Sequence, residues 1–339
     1  MFNQNIGNKI ITLSHGSGGR ATHRLIGEIF KKYFSNPILD RFEDSALLPG
    51  EKGEVLFTTD SFVVSPIFFP GGDIGKLSVC GTVNDLTCMG AVPKYISVSF
   101  IIEEGFKIPD LEKICVSIKN AANEARVRIV TGDTKVVGRG QCDRIFITTS
   151  GIGFRDTKNN ISIYNVKAND NIIINGPVGD HGLAILNARQ DMKFKGGISS
   201  DCAPLNNMIR GCLGKGCEIR AMRDATRGGL ATVLNEICEA SGSGAEIEEN
   251  KIPVNKPVRS FCEILGLDPL YLANEGKMVI IVSHKDTGKC LEILKKHKYG
   301  KHSAVIGKIT KGAGVFLKTS IGGKRPLITP EGDQLPRIC

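Results

Sequence analysis

Tyr95-Ile96-Ser97-Val98-Ser99-Phe100-Ile101-Ile102 reads as a strand with a buried pattern, and the elements on either side of it fix the fold class. From Pro109 to Arg126 the spacing is helical: Pro109 and Asp110 suit the start, and Leu111, Ile114, Val116, Ile118 and Ala121 build an apolar side. Arg128-Ile129-Val130-Thr131-Gly132-Asp133 is a second strand, and it ends in an acid. Strand, helix and strand therefore alternate with short connections. Upstream, Gly53 to Asp60 is another strand ending in an acid and Lys76 to Met89 has helical spacing; downstream, Asp143 to Gly153 is again a strand. The polar region from Arg155 to Asp170, with Asn159, Asn160, Asn169 and Asn171 clustered near it, marks a boundary. Beyond it the alternation resumes, with strands at Asn171–Gly176, Lys277–Ser283 and from Val305 onward, and a helix at Leu230–Ala240. The expected fold is α/β with mixed (α+β) sheets in two domains, residues 1–154 and 165–328, followed by a tail over 329–339.

At 339 residues, 41% hydrophobic and 23% charged, the composition is that of a soluble globular protein. No apolar run approaches the roughly 18 residues that span a bilayer, and Met1-Phe2-Asn3-Gln4-Asn5 has neither the basic start nor the apolar stretch of a signal peptide, so a cytoplasmic protein is expected. The net charge of +9 is spread along the chain and aromatics make up only 6%, which disfavours nucleic-acid binding and fits an anionic substrate or acidic partner. The eleven cysteines are scattered, with no Cys-x-x-Cys pair and no zinc spacing; Cys115, Cys238 and Cys290 read as small core residues.

Five acids sit in polar turns at strand ends or helix starts: Asp44, Asp60, Asp85, Asp133 and Asp224. Any one of them is an ordinary cap or turn residue. Gathered together they would repel, and a divalent cation with a preference for oxygen, Mg²⁺ above all, is the usual remedy; Mg²⁺ in turn bridges nucleotide phosphates. Two glycine-rich segments that precede helices, Ser14-His15-Gly16-Ser17-Gly18-Gly19-Arg20 and Thr226-Arg227-Gly228-Gly229, offer backbone amides to an anion, although neither matches a P-loop or dinucleotide fingerprint. Lys135 and Glu275 lie in polar turns, and nothing local promotes them to catalysis. Finally, Cys339 closes the chain on the tether Thr329 to Pro336, which has two prolines, a glycine and little apolar content. An extended, mobile arm is expected there, able to carry a thiol between two sites.

Taken together, Ser14–Gly19, Asp44-Ser45-Ala46, Thr59 to Pro66, Val83–Leu86, Gly132–Val137, Arg223–Gly229, Asn274-Glu275-Gly276 and the terminal Pro336-Arg337-Ile338-Cys339 resemble the HypE hydrogenase maturation family of the PurM-like ATP-dependent superfamily, over essentially the whole chain. The acids point only to the superfamily; the terminal Pro-Arg-Ile-Cys points to the family. The resemblance implies an N-terminal domain that pairs with a second copy in a homodimer, with ATP and Mg²⁺ in the cleft between domains. It implies that the carbamoyltransferase HypF loads a carbamoyl group onto Cys339, that ATP-dependent dehydration turns it into a thiocyanate, and that the cyanide passes to a HypC–HypD complex. It also implies roles: Asp44, Asp60, Asp85, Asp133 and Asp224 for metal and nucleotide, Gly16, Ser17, Gly18, Gly19, Thr134 and Thr226 for nucleotide, Lys135 for developing charge, Glu275 for proton transfer and Cys339 as carrier. The competing readings are a small-molecule ATP-dependent kinase or ligase of the same superfamily, which has no use for a terminal thiol, and a non-catalytic interaction protein, which would bind no nucleotide.

Overall fold

Alternation along β1 (Glu54–Phe62) sets the first layer: from Leu56 on, its even-numbered side chains turn inward and its odd-numbered ones are exposed. The computed structural model describes residues 10–41, 45–156, 158, 160–189, 197–330, 335 and 337–339. With β2 (Val92–Glu103), β3 (Arg128–Val137) and β4 (Ile145–Arg155), β1 forms a four-stranded sheet in the order β1-β4-β2-β3, antiparallel except for the β2–β3 pair. The parallel pair is joined by α2 (Ile108–Ala125), as expected. Its buried side is Ile108, Leu111, Ile114, Cys115, Ile118, Ala121, Ala122 and Ala125. Val116, read from sequence as part of that side, is 38% exposed because it falls off the stripe set by 111, 114, 118, 121 and 125.

The inner helix α1 (Ile74–Cys88) is capped by Asp73, whose carboxylate accepts from the Gly75 and Lys76 amides at 2.8 and 3.0 Å. Nearly all of it is buried, since it touches the four-stranded sheet on one side and the second domain on the other. Helices buried on all sides need small or apolar residues all round, which Gly75, Ser78, Gly81, Thr82 and Cys88 provide here.

The second sheet has seven strands: β5 (Asn171–Ile174), β6 (Ile219–Asp224), β7 (Gly244–Glu248), β8 (Met278–Val282), β9 (Ala304–Thr310), β10 (Gly314–Lys318) and β11 (Lys324–Pro326), in the order β11-β10-β7-β9-β5-β8-β6. Among the described residues of this sheet, only β7 and β10 pair in parallel. Ile172, Ile174, Ala221, Val279 and Ile281 pack on one face against the helix Gly229–Ser241, and Ile173, Met222, Met278, Ile280 and Val282 pack on the other against the helices Asn206–Gly214 and Thr287–Lys295. This sheet is therefore covered on both faces. The four-stranded sheet is not: Val55, Phe57 and Ile101, on its odd-numbered side, are 65%, 68% and 39% exposed.

Candidate active site

Asp60 lies on the inward face of β1, directly above Gly81 of α1; a Cβ at Gly81 would come within 3.4 Å of the Asp60 carboxylate. One turn further along α1, Asp85 accepts from the Thr58 hydroxyl at 3.0 Å. Another turn on, Cys88 lies 3.9 Å from the carboxylate of Asp224, the last residue of β6. A strand of the first sheet, the central helix and a strand of the second sheet thus bring three acids to the junction between domains.

Among the described residues, Arg223 and Arg227 offset this gathering only in part. Burial, then the charges of Asp224 and Asp60, pushes Asp85 up to about 7. Burial, then Asp60, pushes Asp224 up to about 6. Burial also raises Asp60, although Arg227 opposes it. Like charges in a partly dry site are held apart in pKa in this way. Beside them opens a cavity of about 560 Å³ lined by Asp85, Met89, Ile163, Tyr164, Arg223 and Thr226, a volume in the range of small-molecule sites. Thr226 precedes the left-handed Gly228 (φ 73°) at the start of the helix Gly229–Ser241, and a side chain on Gly229 would run into the Leu270 carbonyl at 2.6 Å.

Glu275, read from sequence as a residue in a polar turn, is fully enclosed. Burial first, then Cys202, Asp224, Asp201 and Asp60, raises it well above the usual carboxylate range, and its Oε1 has no hydrogen-bond partner among the described residues. Its amide donates to Asp201 at 3.1 Å, and Asp201 is paired with the buried Lys277 ammonium at 2.8 Å. Burial favours a neutral Asp201, but Lys277 outweighs it and keeps the carboxyl below its ordinary value.

The other expected residues do not join this group within one chain. Asp60 faces Thr149, Thr149 faces Val98 and Val98 faces Gly132, so Asp133 lies about three strand spacings away (~14 Å) and on the opposite side of the sheet. There it is ion-paired with the exposed Lys135 at 2.7 Å, which holds Asp133 below its ordinary value. The Gly16–Gly19 turn accompanies this end: a Cβ on Gly16 would sit 2.6 Å from the Val136 amide nitrogen. Gly18 has φ 80° and its amide donates to the Thr22 hydroxyl at 3.0 Å, with Ser17 bonded back to the Ser14 carbonyl. Thr134 lines a groove here with Ser45 and Ala46. Asp44 lies outside the described residues.

The end of the tail is seated instead of free. Ile338 is 5% exposed and packs into the core of the first domain, with Leu335 and Cys339 against the same cluster. The Cys339 carbonyl accepts from Val63 N–H at 3.1 Å and that of Arg337 from Ser65 N–H at 3.2 Å. Arg189 reaches both the Ser65 carbonyl, at 2.6 Å, and the Arg337 carbonyl, while Arg337 pairs with Asp143 at 2.8 Å. The buried His181 bonds the Ile338 carbonyl through Nε2 at 2.6 Å and Ser200 Oγ through Nδ1 at 2.8 Å. A carbonyl can only accept, so Nε2 carries the proton and Ser200 donates to Nδ1. Ser200-Asp201-Cys202 then runs directly to Glu275, linking the seat of the tail to the acid site. An isoleucine and three backbone carbonyls with ready donors give the tail an anchor that its prolines and polar composition conceal. His181, Arg189, Ser200, Asp201 and Lys277 escaped the sequence reading; of these, only His181 has a local signal, lying in Gly179-Asp180-His181-Gly182 just past a buried strand.

The two sheets and the acids between them define the class. Residues 42–154 match the N-terminal domain of AIR synthase related proteins and residues 167–320 the C-terminal domain. Among curated relatives, carbamoyl dehydratase HypE of Rhodobacter capsulatus is 46% identical over 335 residues, 97% of this chain and 98% of that one. A solved HypE in complex with ATP superposes with a TM-score of 0.94 at 46% identity, covering 97% of this chain and 99% of the other. A chain of a HypE–HypF complex gives 0.80 at 49% identity, covering 90% and 99%. The chain belongs to the HypE family, the carbamoyl dehydratases of hydrogenase maturation.

Proposed function

We propose that this chain dehydrates a carbamoyl group, carried on the thiol of its own terminal residue Cys339, to a thiocyanate with turnover of ATP, for the cyanide ligand of a [NiFe]-hydrogenase. The observation that carries this reading is the seat of the tail, from which contacts run through His181 and Ser200–Cys202 to Glu275, close enough to feel the charges of Asp224 and Asp60. In the reaction, the carbamoyl oxygen attacks the γ-phosphorus of ATP and the bond to ADP breaks. Loss of one N–H proton leaves an O-phosphorylated imidate on sulfur. Loss of the second N–H proton, with departure of phosphate, leaves S–C≡N. Such chemistry asks the protein mainly for positioning and charge neutralisation.

The donor set fits a divalent cation: Asp60, Asp85 and Asp224 are oxygen ligands that raise one another's pKa with no sufficient positive charge between them. They would hold Mg²⁺, which when bound neutralises phosphate charge. Thr226 and the adjoining cavity would take the nucleotide. Glu275 would be the group for proton transfer: it is buried beside Cys202 and Asp224, and its Oε1 has no hydrogen-bond partner among the described residues. Burial raises its pKa, so in its ionised form it would be a stronger base than an exposed carboxylate.

Gly16, Ser17, Gly18, Gly19, Asp133, Thr134 and Lys135 would serve the phosphates from a second copy, because within one chain they lie on the far edge of the sheet. The exposed face with Val55, Phe57 and Ile101 supports a homodimer formed through that sheet. Asp44 would join the metal ligands. The tail would undock to be loaded by a HypF-type carbamoyltransferase and would deliver to a HypC–HypD complex, all in the cytoplasm. The test is to incubate the protein with Mg²⁺, ATP, carbamoyl phosphate and the carbamoyltransferase, then weigh the C-terminal peptide. An ATP-dependent cyano adduct on Cys339 is expected; an unmodified peptide with an active partner would return the chain to a small-molecule role.

A further inference from the structure

Cys212, Cys217 and Cys290 converge in the second domain, on the face of the seven-stranded sheet opposite the Gly229–Ser241 helix. Cys212 lies near the end of the helix Asn206–Gly214, and Cys290 lies in the first half of the helix Thr287–Lys295 packed beside it. Lys215 and the left-handed Gly216 (φ 67°) turn the chain back, so that the Cys217 amide donates to the Cys212 carbonyl at 3.1 Å. The three sulfur atoms lie within 4.8 Å of one another, and those of Cys212 and Cys290 are 3.7 Å apart. None of them is in a disulfide.

We infer that Cys212, Cys217 and Cys290 form a binding site for a thiophilic cation such as Zn²⁺. Thiolates about 2.3 Å from a tetrahedral zinc lie roughly 3.8 Å from each other, so the Cys212–Cys290 separation needs almost no adjustment. Three thiols gathered this closely gain little as a core, where a methyl group packs equally well without a hydrogen-bonding demand. Binding releases the three thiol protons to solvent and forms three metal–sulfur bonds, leaving a net charge of −1. The ammonium of Lys289, next to Cys290 and bonded to the Gly216 carbonyl at 3.1 Å, offsets that charge. Cys212 and Cys290 are fully buried, whereas Cys217 borders two surface cavities. The cation would enter past Cys217, and solvent there supplies the fourth ligand. Sequence spacing hid the site because the third cysteine comes from a helix far along the chain.

The test uses the full-length reduced protein, stripped with a chelator and titrated with Co²⁺ as a spectroscopic probe, then with Zn²⁺. Expected are a sulfur-to-cobalt charge-transfer band and the intense visible bands of tetrahedral coordination, saturating at a single equivalent and abolished by Zn²⁺. Cys217→Ser and Cys290→Ser should each lose the charge-transfer band, and Cys339→Ser should keep it. Should Cys290→Ser fail to fold, Cys217→Ser, at the edge of the core, decides the matter alone. Absence of the bands in the native sequence, their survival in Cys217→Ser, or their loss in Cys339→Ser would overturn the site. So would oxidation of Cys212 and Cys290 to a disulfide in protein that binds no cobalt, which would mark a redox pair instead.

Discussion

Asp85 shows what a single ionisable group does at the domain junction. Its folded pKa of about 7 stands above the ordinary 3.8, so the folded protein holds that proton more tightly than the unfolded chain. The associated stability is fully present below the ordinary value and is lost as pH rises through about 7. Without divalent cation, Tm should therefore fall by several degrees between about pH 5 and about pH 8, a loss on the order of a few kcal/mol. Asp85→Asn cannot ionise and should flatten the profile, which a thermal scan across pH would check; an unchanged slope would remove Asp85 from the cluster. Added Mg²⁺ should raise Tm most at the alkaline end in the native sequence and little in the variant, which should also lose ATP turnover. Glu275→Gln tests a different property. It keeps the shape and the neutral state that burial already favours, so fold and nucleotide affinity should persist, while single-turnover formation of the cyano peptide should fall by about 10²-fold or more. Wild-type rates in that variant would assign proton transfer elsewhere.

At the scale of elements, the proposed undocking of the tail would work against one buried isoleucine and a few hydrogen bonds. Burial of an isoleucine side chain is worth about 2 kcal/mol, so Ile338→Ala should lower the docking equilibrium constant by up to roughly thirty-fold. His181→Asn removes the Nε2–H donor to the Ile338 carbonyl and acts in the same direction. In both variants, carbamoyl loading by the partner should be unaffected or faster, and dehydration slower, as read from the carbamoyl and cyano masses of the C-terminal peptide over time. Equal slowing of both steps would indicate general damage. This split also shows where the sequence was legible. Strands and helices followed from period and propensity, because Asp110, Pro109 and the alternation of β1 act locally. The acids Asp60, Asp85 and Asp224 were legible as types, since carboxylates among Gly, Ser and Thr are rarely core residues. Their grouping without Asp133 was not, because it depends on which sheet face each strand presents, and a shift of one residue reverses that. The latch was hidden for a related reason: His181, Arg189 and Ile338 meet only through tertiary contacts between distant segments.

For the whole molecule, the half-covered sheet and the separation of Asp133 and Lys135 from the acid junction both bear on the proposed homodimer. The acid junction and the Asp133–Lys135 end lie on opposite sides of the same four strands, and the apolar side chains of Val55, Phe57 and Ile101 are left in water. A second copy placed face to face with a two-fold axis would cover those side chains and present each chain's Lys135 to the other's acids. Phe57→Asp should then halve the sedimenting mass and abolish ATP turnover while leaving far-ultraviolet circular dichroism intact. Mixing is the more discriminating experiment. Asp60→Asn and Lys135→Ala should each be inactive alone. If the site is shared between copies, unfolding and refolding them together yields half heterodimers, each with an intact site built from the unaltered Asp60 of one chain and the unaltered Lys135 of the other, and activity should return to about a quarter of the native level. If each chain held a complete site, every site in the mixture would carry a defect and no activity would return. The Co²⁺ bands of the cysteine cluster, in the domain that carries neither substitution, should be the same in all of these mixtures, so a loss of turnover there can be separated from a loss of fold.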